Sequence, residues 1–121
     1  MTLPPRIPKK PKRETRWRSQ AHLNFIRSFA CAMCGSTVKV EAAHVRLGSG
    51  AGLGQKPHDY YAVPLCGNKC HREQHNWGER TFWDAYAVCH RQTVEQLIEA
   101  FCAASPKASE IRRVRQEREA A

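Results

Sequence analysis

Two short-spaced pairs of cysteines constrain this chain more than anything else in it. Cys31 and Cys34 form a CxxC, Cys66 and Cys70 form a CxxxC, and thirty-one residues lie between the pairs. With 121 residues and proline-rich or charge-rich ends, the chain is expected to build one small core. Six cysteines would suggest a disulfide framework in a secreted domain. However, the opening MTLPPRIPKK has cations without a following apolar segment, so no export signal is expected. No apolar run approaches the ~18 residues that cross a bilayer either, so the expectation is a cytoplasmic, intracellular protein with no membrane contact. Cysteines in that compartment serve as metal ligands or buried thiols. Two pairs, each at a turn beside a short strand, can supply the four thiolates of a tetrahedral structural zinc. Two unrelated pairs of core thiols are the plainer alternative. Cys89 and Cys102, on apolar faces of predicted helices, are assigned to the core.

Charge divides the chain. Of the net +9, residues 1 to 18 carry seven cations against Glu14, whereas 19 to 106 hold eight against seven. The basicity therefore belongs to an arm, which has too little apolar content to fold and four prolines to keep it extended or disordered. Arg6, Lys9, Lys10, Lys12, Arg13, Arg16 and Arg18 are its candidate phosphate contacts. From Ser19, a plausible N-cap, Leu23 and Ile26 recur at helical spacing. TVKVEAAHV alternates as a strand, RLGSGAGLGQKPHD is a glycine-rich loop, and YYAVPL is a second strand. HREQHNW reads as a helical turn or more. Helices follow over about 79 to 90 and about 93 to 104, the second with Thr93 and Gln96 at capping-box spacing. Residues 107 to 121 form a charged helix or frayed tail. The chain is thus α+β, with one domain over 19 to 106.

His71 and His75 stand at i, i+4, which puts two imidazoles on one helix face, the arrangement that chelates a transition metal. Two exposed surface histidines are the plainer reading. Adjacent helical side chains diverge by about 100°, so Cys70 can face the zinc while His71 faces elsewhere. His44 closes the first strand, just before the glycine loop. The order is cysteine knuckle, strand ending in histidine, loop, strand, cysteine pair, then helix with HxxxH. The glycine loop matches no phosphate-cradling motif, and Arg46 and Lys56 on its flanks are candidate contacts to a nucleic-acid backbone.

Segments such as HLNFIRSFACAMCG, AAHVRLGSGAGLGQKPHD and VPLCGNKCHREQH resemble the HNH endonucleases, the His-Me finger or ββα-metal family, and most closely its small phage and prophage members, including recombination-enhancing nucleases. The resemblance covers roughly residues 19 to 83. It implies a small ββα-metal core with a zinc knuckle, flanked by helices, in which His44 is the general base and His71 and His75 hold a catalytic divalent ion. It also implies 5′-phosphate and 3′-hydroxyl products. Two positions depart from the family pattern. Ala43 stands where a metal-binding His or Asp is common, and Tyr61 falls near the middle Asn. Asp59, and after it His58, is a candidate to complete the coordination from the loop's end, with a turn cap as the alternative role of Asp59.

The function expected is a metal-dependent DNA endonuclease or nickase acting on duplex or single-stranded DNA. Its expected cofactors are one structural Zn2+ and one catalytic Mg2+, Mn2+, Ni2+ or Zn2+. Imidazole suits the later transition metals, whereas Mg2+ would lean on Asp59. Neutral imidazole, with an ordinary pKa of ~6.5, can take a proton from water at pH 7. A host recombination protein is a conceivable partner. The rival is a non-catalytic zinc-knuckle DNA-binding or adaptor protein. RNA cleavage stands third, because no aromatic RNP pattern is present and Trp17, Trp77 and Trp83 read as core or edge residues.

Overall fold

A computed structural model describes residues 2–8, 16–51 and 55–119. Residues 2–8 have no regular structure and are exposed. Helix α1 (Gln20–Arg27) begins where Ser19 takes extended backbone and its Oγ accepts from His22 N at 3.2 Å. It buries His22, Leu23 and Ile26.

Strands β1 (Val40–His44) and β2 (Ala62–Cys66) form an antiparallel pair, with Val40 opposite Cys66 and His44 opposite Ala62. Both strands differ from expectation at their N-terminal ends. β1 starts only at Val40, because Lys39 adopts φ 50°, which breaks the extended backbone. β2 starts at Ala62, because residues 59–61 wind into a 3-10 turn. Every residue of β2 is buried, and Pro64 is accommodated in a sheet of two strands, where only one neighbour needs ladder bonds. Its carbonyl accepts from Ala32 N at 2.9 Å, which ties the CxxC knuckle to β2.

Helix α2 (Cys70–Trp77) follows β2 after a short turn over 67–69 and is separated from α3 (Glu79–His90) by Gly78, whose φ of 85° favours glycine. Helix α4 (Val94–Ala104) has the full capping box: Thr93 Oγ1 accepts from Gln96 N, and Gln96 Oε1 from Thr93 N. It buries Val94, Leu97, Ile98 and Cys102. The charged C-terminal segment is a helix, α5 (Ala108–Glu119), and it packs inward through Ile111. Trp17 lies in the same core, donating from Nε1 to Glu110 at 2.9 Å. The packed fold thus takes in residues on both sides of 19–106. Arg115 of α5 lies 5.0 Å from the Tyr60 ring centroid and pairs with Glu99 through two bonds of 2.7 and 2.9 Å.

One core expectation needs correcting. Cys102 is buried, but Cys89 is exposed. The inward stripe of α3, Phe82, Trp83 and Tyr86, runs out before its last turn, and Val88 there is exposed too. Trp17 and Trp83 are core residues, and Trp77 is a half-exposed edge residue. Among the described residues, no helix is long and apolar enough to cross a membrane.

Candidate functional site

The fold gathers the sulphurs of Cys31, Cys34, Cys66 and Cys70 within 4.8 Å of one another. All four are free thiols, and Cys34 Sγ lies 3.7 Å from Cys66 Sγ. A tetrahedral thiolate site with Zn–S of ~2.3 Å has S···S edges of ~3.8 Å, so the spacing is compatible with a structural zinc. Backbone geometry builds both halves. Gly35, at φ 77°, lets its N–H return to Cys31 O at 2.9 Å, and Cys70 N donates to Cys66 Sγ at 3.4 Å from the start of α2.

Electrostatics of the cluster are one-sided. Burial works against a thiolate at Cys66, but the Cys70 N–H, the Cys70 and Cys34 thiols and the Lys69 N–H bring it down to about 7. Cys70 is pushed far above an ordinary thiol, by burial first and then by the other three sulphurs. Charge on one sulphur opposes charge on the next, a conflict that a bound cation removes.

The second centre is built at the far end of the hairpin. His44 Nε2 lies 2.9 Å from Asp59 Oδ1, and Asp59 is 2 % exposed. The hairpin register sets this contact: His44 faces Ala62, so the 3-10 turn just before Ala62 falls beside the imidazole. Asp59 Oδ1 also accepts from Arg18 Nη1 at 3.1 Å, and Oδ2 accepts from Ser19 N at 2.8 Å. Burial opposes charge on Asp59, but the bonds from His44 and Ser19 and the nearby cations hold its pKa below the usual value. A carboxylate can only accept, so His44 presents an Nε2 proton to Asp59, and the lone pair of the neutral ring is on Nδ1.

That imidazole opens on a cleft of about 480 Å³, also lined by Arg46, Lys56, His71, Gln74, His75 and Glu79. The structure therefore brings His44, the HxxxH pair and both loop cations to one place. The His71 and His75 ring centroids are 5.1 Å apart on α2. Gln74 accepts from Trp83 Nε1 at 2.9 Å, fixing α2 on α3. Glu79 accepts from Arg46 N at 2.9 Å and Leu47 N at 3.1 Å, holding the start of the glycine loop at the N-terminus of α3. Among the described residues, the four cysteines are the only group of three or more Cys, His, Asp or Glu close enough to share an ion. Asp59 stands with His44, Arg18 and Ser19, not with His71 and His75. Ala43 faces the core, on the opposite side of β1 from His44, and is fully buried.

The cations of the N-terminal arm differ in placement. Arg6 is exposed, and Lys9, Lys10, Lys12 and Arg13 lie outside the described residues. Arg16 and Arg18 have internal partners. Arg18 donates to the Pro57 and Lys56 carbonyls as well as to Asp59, and Arg16 reaches Gln55 Oε1 at 3.3 Å. Trp17 N donates to His58 Nδ1 at 2.8 Å, while Asp59 N donates to Trp17 O at 3.0 Å. Residues 16–18 thus bind the end of the loop beside Asp59. Sequence reasoning missed the Arg18–Asp59–His44 chain, along with Glu41 and Glu79. Glu41 Oε1 lies 3.1 Å from His71 Nδ1.

Burial, with the charges of Arg118, Arg16 and Arg18, holds His58 at about 4. The unfolded chain then binds the extra proton between about 6.5 and 4, so the folding stability credited to neutral His58 is lost as pH falls through that window. His58→Asn, whose Oδ1 can still accept from Trp17 N, should show a flatter fall in urea midpoint than wild type at equal zinc content. Parallel curves would assign the acid sensitivity to other groups.

No solved structure matches the chain. The uncharacterized protein YdfU of Escherichia coli (strain K12) is 35% identical over 80 residues, which are 62% of this chain and 22% of that protein. The chain thus spans about a fifth of the length of that relative. Residues 4–110 match the family described as protein of unknown function, DUF968, and the chain belongs to that family.

Proposed function

We propose that this protein is a metal-dependent DNA endonuclease or nickase of the HNH type, with a structural zinc on Cys31, Cys34, Cys66 and Cys70 and a catalytic divalent ion on His71 and His75. The observation that carries the reading is the shared cleft: a strand histidine backed by a buried carboxylate faces two helix imidazoles and two cations. On this reading, His44 Nδ1 takes a proton from water as its oxygen forms a bond to phosphorus. The bond from phosphorus to the leaving oxygen then breaks, and that oxygen takes a proton from solvent water, to which the imidazolium later returns its own. Asp59 holds the ring and stabilises the imidazolium that forms. Arg46 and Lys56 line the same cleft, and on this reading they contact the phosphodiester. The two imidazoles fit a divalent transition ion by donor chemistry and spacing, and such an ion supplies charge stabilisation at the phosphoryl and leaving oxygens. The test is nicking of supercoiled and single-stranded DNA with Mg2+, Mn2+, Ni2+ or Zn2+ added. DNA binding without cleavage under every ion would favour the second reading, a zinc-knuckle DNA-binding or adaptor protein. That reading draws support from the fact that, among the described residues, His71 and His75 belong to no group of three or more Cys, His, Asp or Glu close enough to share an ion.

The arm supplies non-specific DNA affinity on this reading. Because Arg16 to Arg18 bind the loop, deletion of residues 1–15 is the informative truncation, and it removes Arg6, Lys9, Lys10, Lys12 and Arg13. If three of these five engage phosphates at ~0.9 each, the slope of log K against log salt should flatten by about 3. Cleavage at saturating protein should persist. An unaltered slope would show that these cations do not touch DNA.

A further inference from the structure

We propose that Glu41 is a positioning residue that fixes the tautomer and aim of His71, and that Gly67 leaves the room it needs. The inference rests on the reading of His71 and His75 as the catalytic-metal pair. Glu41 Oε1 lies 3.1 Å from His71 Nδ1. A carboxylate has no proton to give, so the contact places the imidazole proton on Nδ1 and leaves Nε2 as the lone pair. His71 lines the cleft and Glu41 does not, so with Nδ1 turned to the carboxylate, Nε2 is the nitrogen left for an ion. A carboxylate bonded to the far nitrogen of a metal-binding histidine orients the ring and raises its basicity.

Gly67 explains how the carboxylate gets there. It lies between β2 and α2, and its N–H is held by Lys39 O at 2.8 Å. A Cβ at this position would stand 2.4 Å from Glu41 Oε1 and 2.8 Å from its Cδ. The obstruction is the end of a flexible, half-exposed side chain, and Gly67 has no left-handed φ that an alanine would strain. Gly67→Ala should therefore fold and push Glu41 away from His71 without touching either histidine or any cysteine. It disturbs the same contact from the other side.

The test is calorimetric titration of Ni2+ into zinc-loaded full-length protein, for wild type, Glu41→Ala, Glu41→Gln, Gly67→Ala and the double His71→Ala/His75→Ala variant, with zinc content and circular dichroism checked for each. Glu41→Ala and Gly67→Ala should weaken Ni2+ binding by roughly 10- to 100-fold at unchanged zinc content. Glu41→Gln, whose amide oxygen still accepts from Nδ1–H, should lose less than Glu41→Ala. Wild-type Ni2+ affinity in both Glu41→Ala and Gly67→Ala, with binding abolished in the double variant, would overturn the role of Glu41 and leave the metal pair standing. Equal losses in Glu41→Gln and Glu41→Ala would overturn the orienting role in favour of plain charge. Ni2+ binding by the double variant at wild-type strength would remove the metal pair, and this inference with it.

Discussion

His44→Ala is expected to retain zinc and DNA affinity while losing DNA cleavage by roughly 10²-fold or more, the scale of a positioned general base. The side chain is half-buried at the end of β1, where its backbone pairs with Ala62. Truncation removes the ring without disturbing the strand, so folding should survive. Asp59→Asn provides the internal control. Its amide oxygen can still accept from Nε2–H, but it loses the negative charge that favours imidazolium and pairs with Arg18, and its NH2 replaces the oxygen that accepts from Ser19 N. Cleavage should fall less than in His44→Ala. Undiminished cleavage by His44→Ala would refute the assignment of the base. A His44→Ala protein that no longer binds DNA would point to a binding surface instead.

Cys31→Ser and Cys66→Ser should each lose both zinc and cooperative folding. In a small core, a four-thiolate site contributes folding free energy directly, since the unfolded chain has no preformed site. The fold shows why the loss would spread. Cys31 begins the knuckle bonded to Pro64 O through Ala32, Cys66 ends β2, and Cys70 begins α2. One ion would fasten the end of the α1 segment, the hairpin and the HxxxH helix. Protein purified natively should hold close to one tightly bound zinc by elemental analysis. Recovery of a well-folded, metal-free protein would remove the site. Cys89→Ser should leave zinc content and folding unchanged, because Cys89 is exposed and outside the cluster.

What was legible in the sequence was local or strongly typed. Ser19 and the Thr93–Gln96 box act within one helical turn, so their spacing sufficed. The cysteine pairs announced a shared centre because few other arrangements make use of four closely spaced thiols. The HxxxH pair and His44 could be suspected from their order along the chain, but their common cleft depends on tertiary packing. The partners of these residues were less legible. Asp59 reaches His44 only through the register that sets His44 opposite Ala62, and a one-residue slip would have turned the histidine to the other face. Arg18 looked like one more cation of the arm, yet the bonds of Trp17 to His58 and Asp59 set it against three acceptors, the Lys56 and Pro57 carbonyls and Asp59 Oδ1. The α5 segment carries few apolar residues among its charges, and the burial of Ile111 is visible only once α4 and Trp17 are in place.

Cys70 and His71 are neighbours in the first turn of α2, one turned to the sulphur cluster and the other to the cleft. On the proposed reading, chelation experiments on this protein will have a memory. A brief, mild chelator withdraws the weakly held ion, and adding that ion back restores cleavage at once. A strong chelator given time reaches the cysteines, lets the start of α2 drift, and carries the imidazoles out of alignment. Activity then returns only after zinc-assisted refolding, whatever second ion is offered. The order and duration of metal removal, more than its extent, will distinguish the two centres.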